Sequence, residues 1–242
     1  MRVAIIGSEG KMGRAVVAAV LGAEGLELGA TLDVGDELEG VSGSDVAVIF
    51  TSPDAVMSAI HACIDARVHC VVGTTGITPN HLDQISSWCA ESSTNVLVVP
   101  NFAIGAVLMM AFAQQAAPYF SGVEIIEEHH PEKVDAPSGT AIRTAELIAA
   151  ARQNRGEPPD ATNQGHPEAR GANIGGVRVH SIRMDGLVAH QTVQFGNPGE
   201  LLTIRHDSTD RSSFMPGVLL AVQAVKDLPG VTVGLETVLG LP

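Results

Sequence analysis

Residues 1–13, Met-Arg-Val-Ala-Ile-Ile-Gly-Ser-Glu-Gly-Lys-Met-Gly, run from an apolar strand pattern straight into a glycine-punctuated turn and the start of a helical pattern. A continuous run of Val, Ala and Ile is buried on both faces, the condition of a strand inside a parallel sheet covered by helices. Gly7, Gly10 and Gly13 fall where such a turn must be tight, where backbone must approach an anion, and where helix must pack on strand. Position carries this reading more than the glycines do, because the spacing G-x-x-G-x-x-G is one residue longer at its start than the commonest dinucleotide fingerprint. Asp33 lies 20 residues after Gly13, at the end of the next strand pattern, where a carboxylate accepts hydrogen bonds from an adenosine ribose.

The same rhythm continues outward from that stretch. Apolar runs at 3–6, 26–31, 46–50, 70–72 and 96–99 alternate with helical patterns at 11–22, 53–66 and 79–91. The sum predicts an α/β fold, a Rossmann-like doubly wound parallel sheet. Gly73-Thr74-Thr75-Gly76 and Pro100-Asn101-Phe102 leave the fourth and fifth strands at the carboxyl edge, where open α/β sheets bind ligands. The stretch after Asp33, Val34-Gly35-Asp36-Glu37, holds no Arg or Lys for a 2′-phosphate, which favours NADH. Lys11 in the turn leaves NADPH open.

Beyond Asn101 the pattern changes. A helix is expected over 104–120, a strand over 123–130, a helix from Ser138 to Ala151, a loop over about 153–176, strands over 177–183, 187–195 and 201–206, and a helix over 214–226 with Pro216 in its first turn. Close succession of the three late strands predicts antiparallel pairing and a second, smaller α+β domain on a mixed or antiparallel sheet.

Residues 127–141, Glu-Glu-His-His-Pro-Glu-Lys-Val-Asp-Ala-Pro-Ser-Gly-Thr-Ala, concentrate two imidazoles, an ammonium and a helix start. Pro131 and Pro137 forbid one helix through the segment, so the i, i+4 spacing of His129 and Lys133 is not a helical face. Strand alternation sends Glu127 and His129 to one side, Glu128 and His130 to the other. Ser138 suits an N-cap, and Ser138-Gly139-Thr140 presents backbone N–H groups at the positive end of a helix, a site for carboxylate or phosphate. Histidine titrates near neutrality and suits proton transfer, while Lys133 offers a charge-assisted hydrogen bond. A small dianionic substrate that needs a proton fits this set, although the residues alone do not say whether His129 or Lys133 delivers it.

Composition bounds the alternatives. The chain has 242 residues, 45% of them hydrophobic, and a formal net charge of −13, which argues against nucleic acid and anionic membranes as partners. Residues 1–132 hold 4 basic and 16 acidic side chains, residues 133–242 hold 10 and 11, so an anion meets less repulsion in the second half. Cys63, Cys70 and Cys89 show no metal or disulfide spacing and read as buried small hydrophobes in a reduced chain. His61, His69, His81, His166, His180 and His190 show no ligand spacing, so no metal is expected. Neither a signal sequence nor a membrane span is apparent.

Taken together, G-S-E-G-K-M-G at 7–13, G-T-T-G at 73–76, P-N-F at 100–102, E-H-H-P-E-K-V-D-A-P-S-G-T-A at 128–141 and L-T-I-R-H-D-S-T-D-R-S-S-F at 202–214 resemble the 4-hydroxy-tetrahydrodipicolinate reductase family, also called dihydrodipicolinate reductases. The resemblance runs nearly end to end. It implies NADH and/or NADPH as cofactor, a cyclic imine-type dicarboxylate as substrate, the diaminopimelate route to lysine, and a cytoplasmic homotetramer assembled through the sheets of the smaller domains. It implies a dinucleotide-binding domain of 1–103 plus 210–242 and a substrate-binding and oligomerisation domain of 104–209. By motif, His129 is the implied proton donor/acceptor and Lys133 the proton donor, and His130 with Ser138, Gly139 and Thr140 the implied carboxylate holders. The implied cofactor contacts are Gly7, Ser8, Glu9, Gly10, Lys11, Met12, Gly13, Asp33, Gly73, Thr74, Thr75, Val99, Pro100, Asn101 and Phe102. Ser8-Glu9 departs from the small or basic residues usual in that turn, and Glu9 would repel a 2′-phosphate. Two other readings remain at this point: an amino-acid dehydrogenase of the aspartate type on the same cofactor fold, and a non-catalytic NAD-sensing protein.

Overall fold

The computed structural model describes residues 1–152 and 160–241, so part of the loop expected over 153–176 lies outside the described residues. In chain order the elements are β1 Arg2–Ile6, α1 Lys11–Gly22, β2 Glu27–Leu32, β3 Val46–Ile49, α2 Val56–Asp65, β4 His69–Val72, α3 Pro79–Ala90 and β5 Val96–Val98. There follow α4 Ile104–Ala116, β6 Gly122–His129, α5 Gly139–Ala151, β7 Ala172–Ile174, β8 Val177–Arg183, β9 Ala189–Asn197, β10 Glu200–Ser208, α6 Met215–Ala224 and β11 Val231–Val233. They form two compact units, Met1–Ile104 with the chain from Arg211 onward, and Gly105–Asp210.

The first unit is a parallel sheet in the order β11-β5-β4-β3-β1-β2. Val46, Ala47, Val48 and Ile49 of β3 are all buried, as continuous apolar strands between two helix layers must be. Ile60 of α2 and Ile85 of α3 are wholly buried on that core, each worth about 1.5–3 kcal/mol relative to exposure. Local signals explain the helix starts: Thr78 and His81 form a capping box on α3, with Pro79 in its first turn. α2 begins later than its expected start at 53, because the Ser52 carbonyl accepts the Ala55 N–H in a turn before the helical ladder takes over. β11 adds an edge strand that the sequence reading did not anticipate. All three cysteines are free and buried; contact with the Cys63 thiol, and then burial, hold the Cys70 thiol well above its usual range.

The second unit is a sheet in the order β10-β9-β6-β8-β7. It corrects one expectation: the late strands do not all pair with their sequence neighbours. β10 with β9, β9 with β6 and β7 with β8 are antiparallel, but β8 lies parallel to β6, and β6 separates it from β9. The link 184–188 crosses the end of β6, where the Met184 N–H donates to the His129 carbonyl at 3.1 Å. The most hydrophobic inward column, Val123 and Ile125 of β6 with Val193 and Phe195 of β9, thus takes the sheet centre against Ala141, Ala145 and Ile148 of α5. α4 ends at Ala116 rather than 120, and Ala117–Tyr119 tightens into a 3-10 turn, because Pro118 has no N–H for the ladder. The buried Arg152 guanidinium caps this end by donating to the carbonyls of Ala117, Phe120 and Ser121. β7 falls inside the stretch expected to be loop.

Candidate active site

In the first unit, parallel register brings the ends of β1, β2, β3, β4 and β5 to one edge, and with them Gly7, Asp33, Gly73 and Val99. Gly7 has φ +87°, and a Cβ there would lie 2.1 Å from the Phe50 carbonyl oxygen. A Cβ on Gly13 would lie 2.0 Å from the Gly7 carbonyl oxygen, so α1 can seat on the turn only with glycine there. Gly7 and Ser8 donate their N–H groups to the Leu32 carbonyl at 2.8 and 3.1 Å, which ties the turn to β2. Gly10 is the N-cap of α1 and supplies no side-chain cap; α2 and α6 also lack one, whereas α3 and α5 each carry a hydroxyl cap. The first-turn N–H groups of α1 are thereby left to another acceptor.

Asp33 stands at the end of β2 with its carboxylate accepting the Glu9 N–H at 2.6 Å and the Val34 N–H at 2.8 Å. These backbone bonds, Val34 first, lower its pKa below the usual carboxylate range. Glu9 pairs with Arg14 at 2.9 Å on the exposed surface, and Lys11 is exposed while Met12 is half-buried. Ser8 and Thr74 are buried; the Thr74 hydroxyl accepts the Thr51 N–H at 2.9 Å and so braces two strand ends. Gly73 is wedged beside the Phe50 and Phe102 rings, whose centroids are 5.5 Å apart. Phe102 and Val99 are buried, Pro100 and Thr75 are exposed, and Asn101 accepts the Ala103 N–H at 2.9 Å.

In the second unit, β6 delivers Glu127 and His129 to the same inward face, as alternation requires. Glu127 is fully buried. Its Oε1 accepts from Arg183 Nη2 at 2.8 Å and from the Ser138 N–H at 3.2 Å; its Oε2 accepts from Arg183 Nη1 at 2.9 Å and contacts His129 Nδ1 at 2.5 Å. Burial alone would raise this carboxyl, but hydrogen bonds from His129, Arg183 and Ser181 outweigh it and bring the pKa down to about 2. Arg183 also donates to the Asp135 carbonyl at 2.7 Å, and Asp135 pairs with Lys133 at 2.6 Å. That bond from Lys133 is the largest cause lowering the Asp135 carboxyl. The Lys133 N–H closes a turn onto the His130 carbonyl at 3.2 Å, and His130 is half-buried just past β6.

Ser138 caps α5, its buried hydroxyl accepting the Ala141 N–H at 3.2 Å. A Cβ built on Gly139 meets nothing within 4 Å, so the space before the first turn of α5 is open, and Thr140 follows there. His129, His130, Lys133, Ser138, Gly139 and Thr140 are thus gathered within one unit, along a turn that carries Lys133 and at a helix N-terminus. Glu127 and Arg183 were not singled out from the sequence. The available signal was a charged residue in the otherwise apolar inward column Val123-Ile125-Glu127, because a buried carboxylate demands a cationic partner.

Among the described residues no group of three or more His, Cys, Asp or Glu is placed to hold a metal ion, and no helix is long and apolar enough to cross a membrane. Five histidines outside the cluster have structural partners: His61 with Asp65, His69 with the Asn95 N–H, His81 with the Thr78 N–H, His180 with Glu124 and His190 with Asp207.

The family models for dihydrodipicolinate reductase match in both parts, the N-terminus over residues 1–102 and the C-terminus over residues 105–239. The 4-hydroxy-tetrahydrodipicolinate reductase of Mycobacterium marinum is 54% identical over 244 residues, covering 100% of each chain. That of Corynebacterium diphtheriae is 54% identical over 241 residues, covering 98% of this chain and 97% of its own. The solved structure of a dipicolinate-bound dihydrodipicolinate reductase from a Paenisporosarcina strain superimposes with a TM-score of 0.87 at 41% identity, covering 98% of both chains. With a glycine turn on one sheet, a His-Lys cluster on the other and matches that span both, this chain belongs to the dihydrodipicolinate reductase family, the 4-hydroxy-tetrahydrodipicolinate reductases.

Proposed function

We propose that this chain reduces 4-hydroxy-tetrahydrodipicolinate, by way of dihydrodipicolinate, to tetrahydrodipicolinate in the diaminopimelate route to lysine, with NADH or NADPH as reductant. The observation that carries the proposal is the end-to-end match to relatives of that activity at 54% identity. The residues fit the cofactor. Gly7 and Gly13 keep the strand-to-helix turn free of Cβ atoms, α1 starts without a side-chain cap, and Asp33 stands at the end of β2. The first unit is the dinucleotide-binding domain, with Gly7, Ser8, Glu9, Gly10, Lys11, Met12 and Gly13 around the pyrophosphate and Asp33 at the ribose. Gly73, Thr74, Thr75, Val99, Pro100, Asn101 and Phe102 lie toward the nicotinamide. When bound, the reduced nicotinamide supplies the hydride.

The second unit binds substrate and supplies the proton. His130, Ser138, Gly139 and Thr140 hold the two carboxylates at the positive end of α5, where backbone dipoles and an imidazole neutralise them. Because the Ser138 hydroxyl already caps α5, its part is to fix the Gly139-Thr140 amides. Lys133 exchanges Asp135 for the substrate and delivers charge to its carboxylate or ring nitrogen. His129, held by Glu127, donates or accepts the proton.

The chain works in the cytoplasm as a homotetramer joined through the second unit's sheet. The face of that sheet away from α5 carries Ile182 and Leu201, 40% and 84% exposed, among the ion pairs Glu124–Arg170 and Glu128–Arg205. Loss of NADH absorbance on addition of freshly generated substrate tests the activity. His129→Ala and Lys133→Ala, made separately, should cut turnover with NADH affinity unchanged; full turnover in both would remove the site assignment. Sedimentation equilibrium tests the tetramer.

A further inference from the structure

We infer that Glu127 is a positioning residue: clamped by Arg183, its buried carboxylate fixes the tautomer and orientation of the His129 ring and so determines which nitrogen meets the substrate. The inference rests on the reading of His129 as a proton-transferring group and deepens it by naming what aims that group.

The hydrogen-bond inventory carries the argument. Both Arg183 Nη atoms and the Ser138 N–H can only donate to the carboxylate, the Ser181 hydroxyl bonds to it as well, and the contact left to assign is that with His129 Nδ1. A carboxyl gripped by a two-pronged guanidinium and a further N–H is held ionised, and a carboxylate has no proton to give. His129 Nδ1 must therefore carry its hydrogen in the neutral ring as well as in the charged one. That leaves Nε2 as the nitrogen that loses or gains the catalytic proton. The ring keeps 15% of its side-chain surface exposed, while Glu127 keeps none. The inner group is thus sealed from solvent exchange, and the outer one remains reachable.

Geometry explains why this arrangement is rigid. Glu127 and His129 stand two apart on β6, so their side chains rise side by side from one face. Arg183 ends β8, which runs parallel to β6 with His129 opposite Arg183 in register. Its guanidinium meets the carboxylate in a two-pronged pair, which sets the plane of the carboxylate as well as its position. The Ser138 N–H, held by the cap of α5, adds a further fixed point. One buried carboxylate thereby ties the proton-transferring ring to the helix N-terminus that holds the substrate.

Glu127→Gln is the diagnostic variant. It keeps size but puts an N–H₂ among donors, so one partner loses its acceptor and the Nδ1–H tautomer loses its support. Imidazole ¹⁵N NMR of the full-length protein should show His129 protonated at Nδ1 in the wild type and shifted toward Nε2–H in the variant. Turnover should fall about 10- to 100-fold, by comparison with lost orienting partners elsewhere, with NADH affinity unchanged and substrate KM altered far less than kcat. His129→Gln should lose at least as much, and the double variant no more than His129→Gln alone. Should Glu127→Gln fail to fold, Arg183→Lys keeps the charge and breaks the two-pronged clamp. It should then show a mixed tautomer and a loss of about 3- to 10-fold on the same basis.

Wild-type turnover and an unchanged tautomer in whichever variant folds overturn the inference, even if His129→Gln is inactive. Full turnover in His129→Gln overturns instead the reading on which it rests. A loss in Glu127→Gln that adds fully to that of His129→Gln also rejects it, since two independent effects are not one device.

Discussion

Replacing Gly13 and Gly22 by Ala, one at a time, puts the same methyl group on the same helix with opposite expected results. Both glycines lie in α1, where glycine costs about 0.5–1 kcal/mol relative to Ala through backbone entropy. At Gly22 a Cβ meets nothing within 4 Å and the backbone is not left-handed, so Gly22→Ala should recover that amount. At Gly13 the Cβ falls 2.0 Å from the Gly7 carbonyl oxygen and 2.8 Å from Ser8 Cα, where real Cβ atoms essentially never come within 3.0 Å. About 1 Å of separation between α1 and the turn is then required, and overpacking of this kind costs about 1–3 kcal/mol. With a clash against backbone the upper part of that range applies, and the helix gain offsets only part, leaving a net loss of about 2 kcal/mol. For a chain of this size the melting temperature should fall by about 4–8 °C in Gly13→Ala and rise by about 1–4 °C in Gly22→Ala. Because the turn itself is displaced, NADH affinity measured by fluorescence titration should drop about 100-fold in Gly13→Ala and stay unchanged in Gly22→Ala. Native melting and native NADH affinity in Gly13→Ala would refute the reasoning, as would a shift of the same sign in both variants.

Acid should strip a defined increment of stability. The Glu127 carboxyl sits at about 2 in the folded chain against an ordinary 4.5, so its contribution is fully present above pH 4.5 and is lost as pH falls through that value toward 2. By pH 3 about 2 kcal/mol of it is gone, and the decrement in urea unfolding between pH 6 and pH 3 should be smaller by that amount in Glu127→Gln. Ser138→Ala removes the cap of α5 and should cost about 1 kcal/mol by chemical unfolding, with substrate KM rising because the Gly139-Thr140 amides lose their anchor. Arg152→Met strands the carbonyls of Ala117, Phe120 and Ser121 and should cost about 3 kcal/mol; a loss under 1 kcal/mol would show that the guanidinium is dispensable there. Glu9→Ala removes a surface charge from the turn and should lower the KM for NADPH up to about fivefold more than for NADH, as paired steady-state kinetics would reveal.

Much of the first unit was legible because its signals are local. Apolar runs, a Thr78 cap, Pro79 and glycines at a strand end each act within a few residues, and α1 lies where its pattern placed it. The α2 start and the α4 end were misread where a turn or Pro118 intervened before or after an apolar pattern. β7 and β11 are too short to show a period. In the second unit, the strand segments were recognisable but their partners were not.

By itself the sequence determined the chemistry available here. It held a nucleotide-type turn, a cluster of His129, His130 and Lys133, a Ser138 helix start, and enough family likeness to identify the reaction, since all of these are properties of contiguous residues. Tertiary structure alone decided that β6 lies between β8 and β9, and with it that Arg183 reaches Glu127 across 56 positions of chain. Strand pairing is chosen by which apolar columns bury each other, a global competition no local window contains. The partner of a buried carboxylate follows from that outcome.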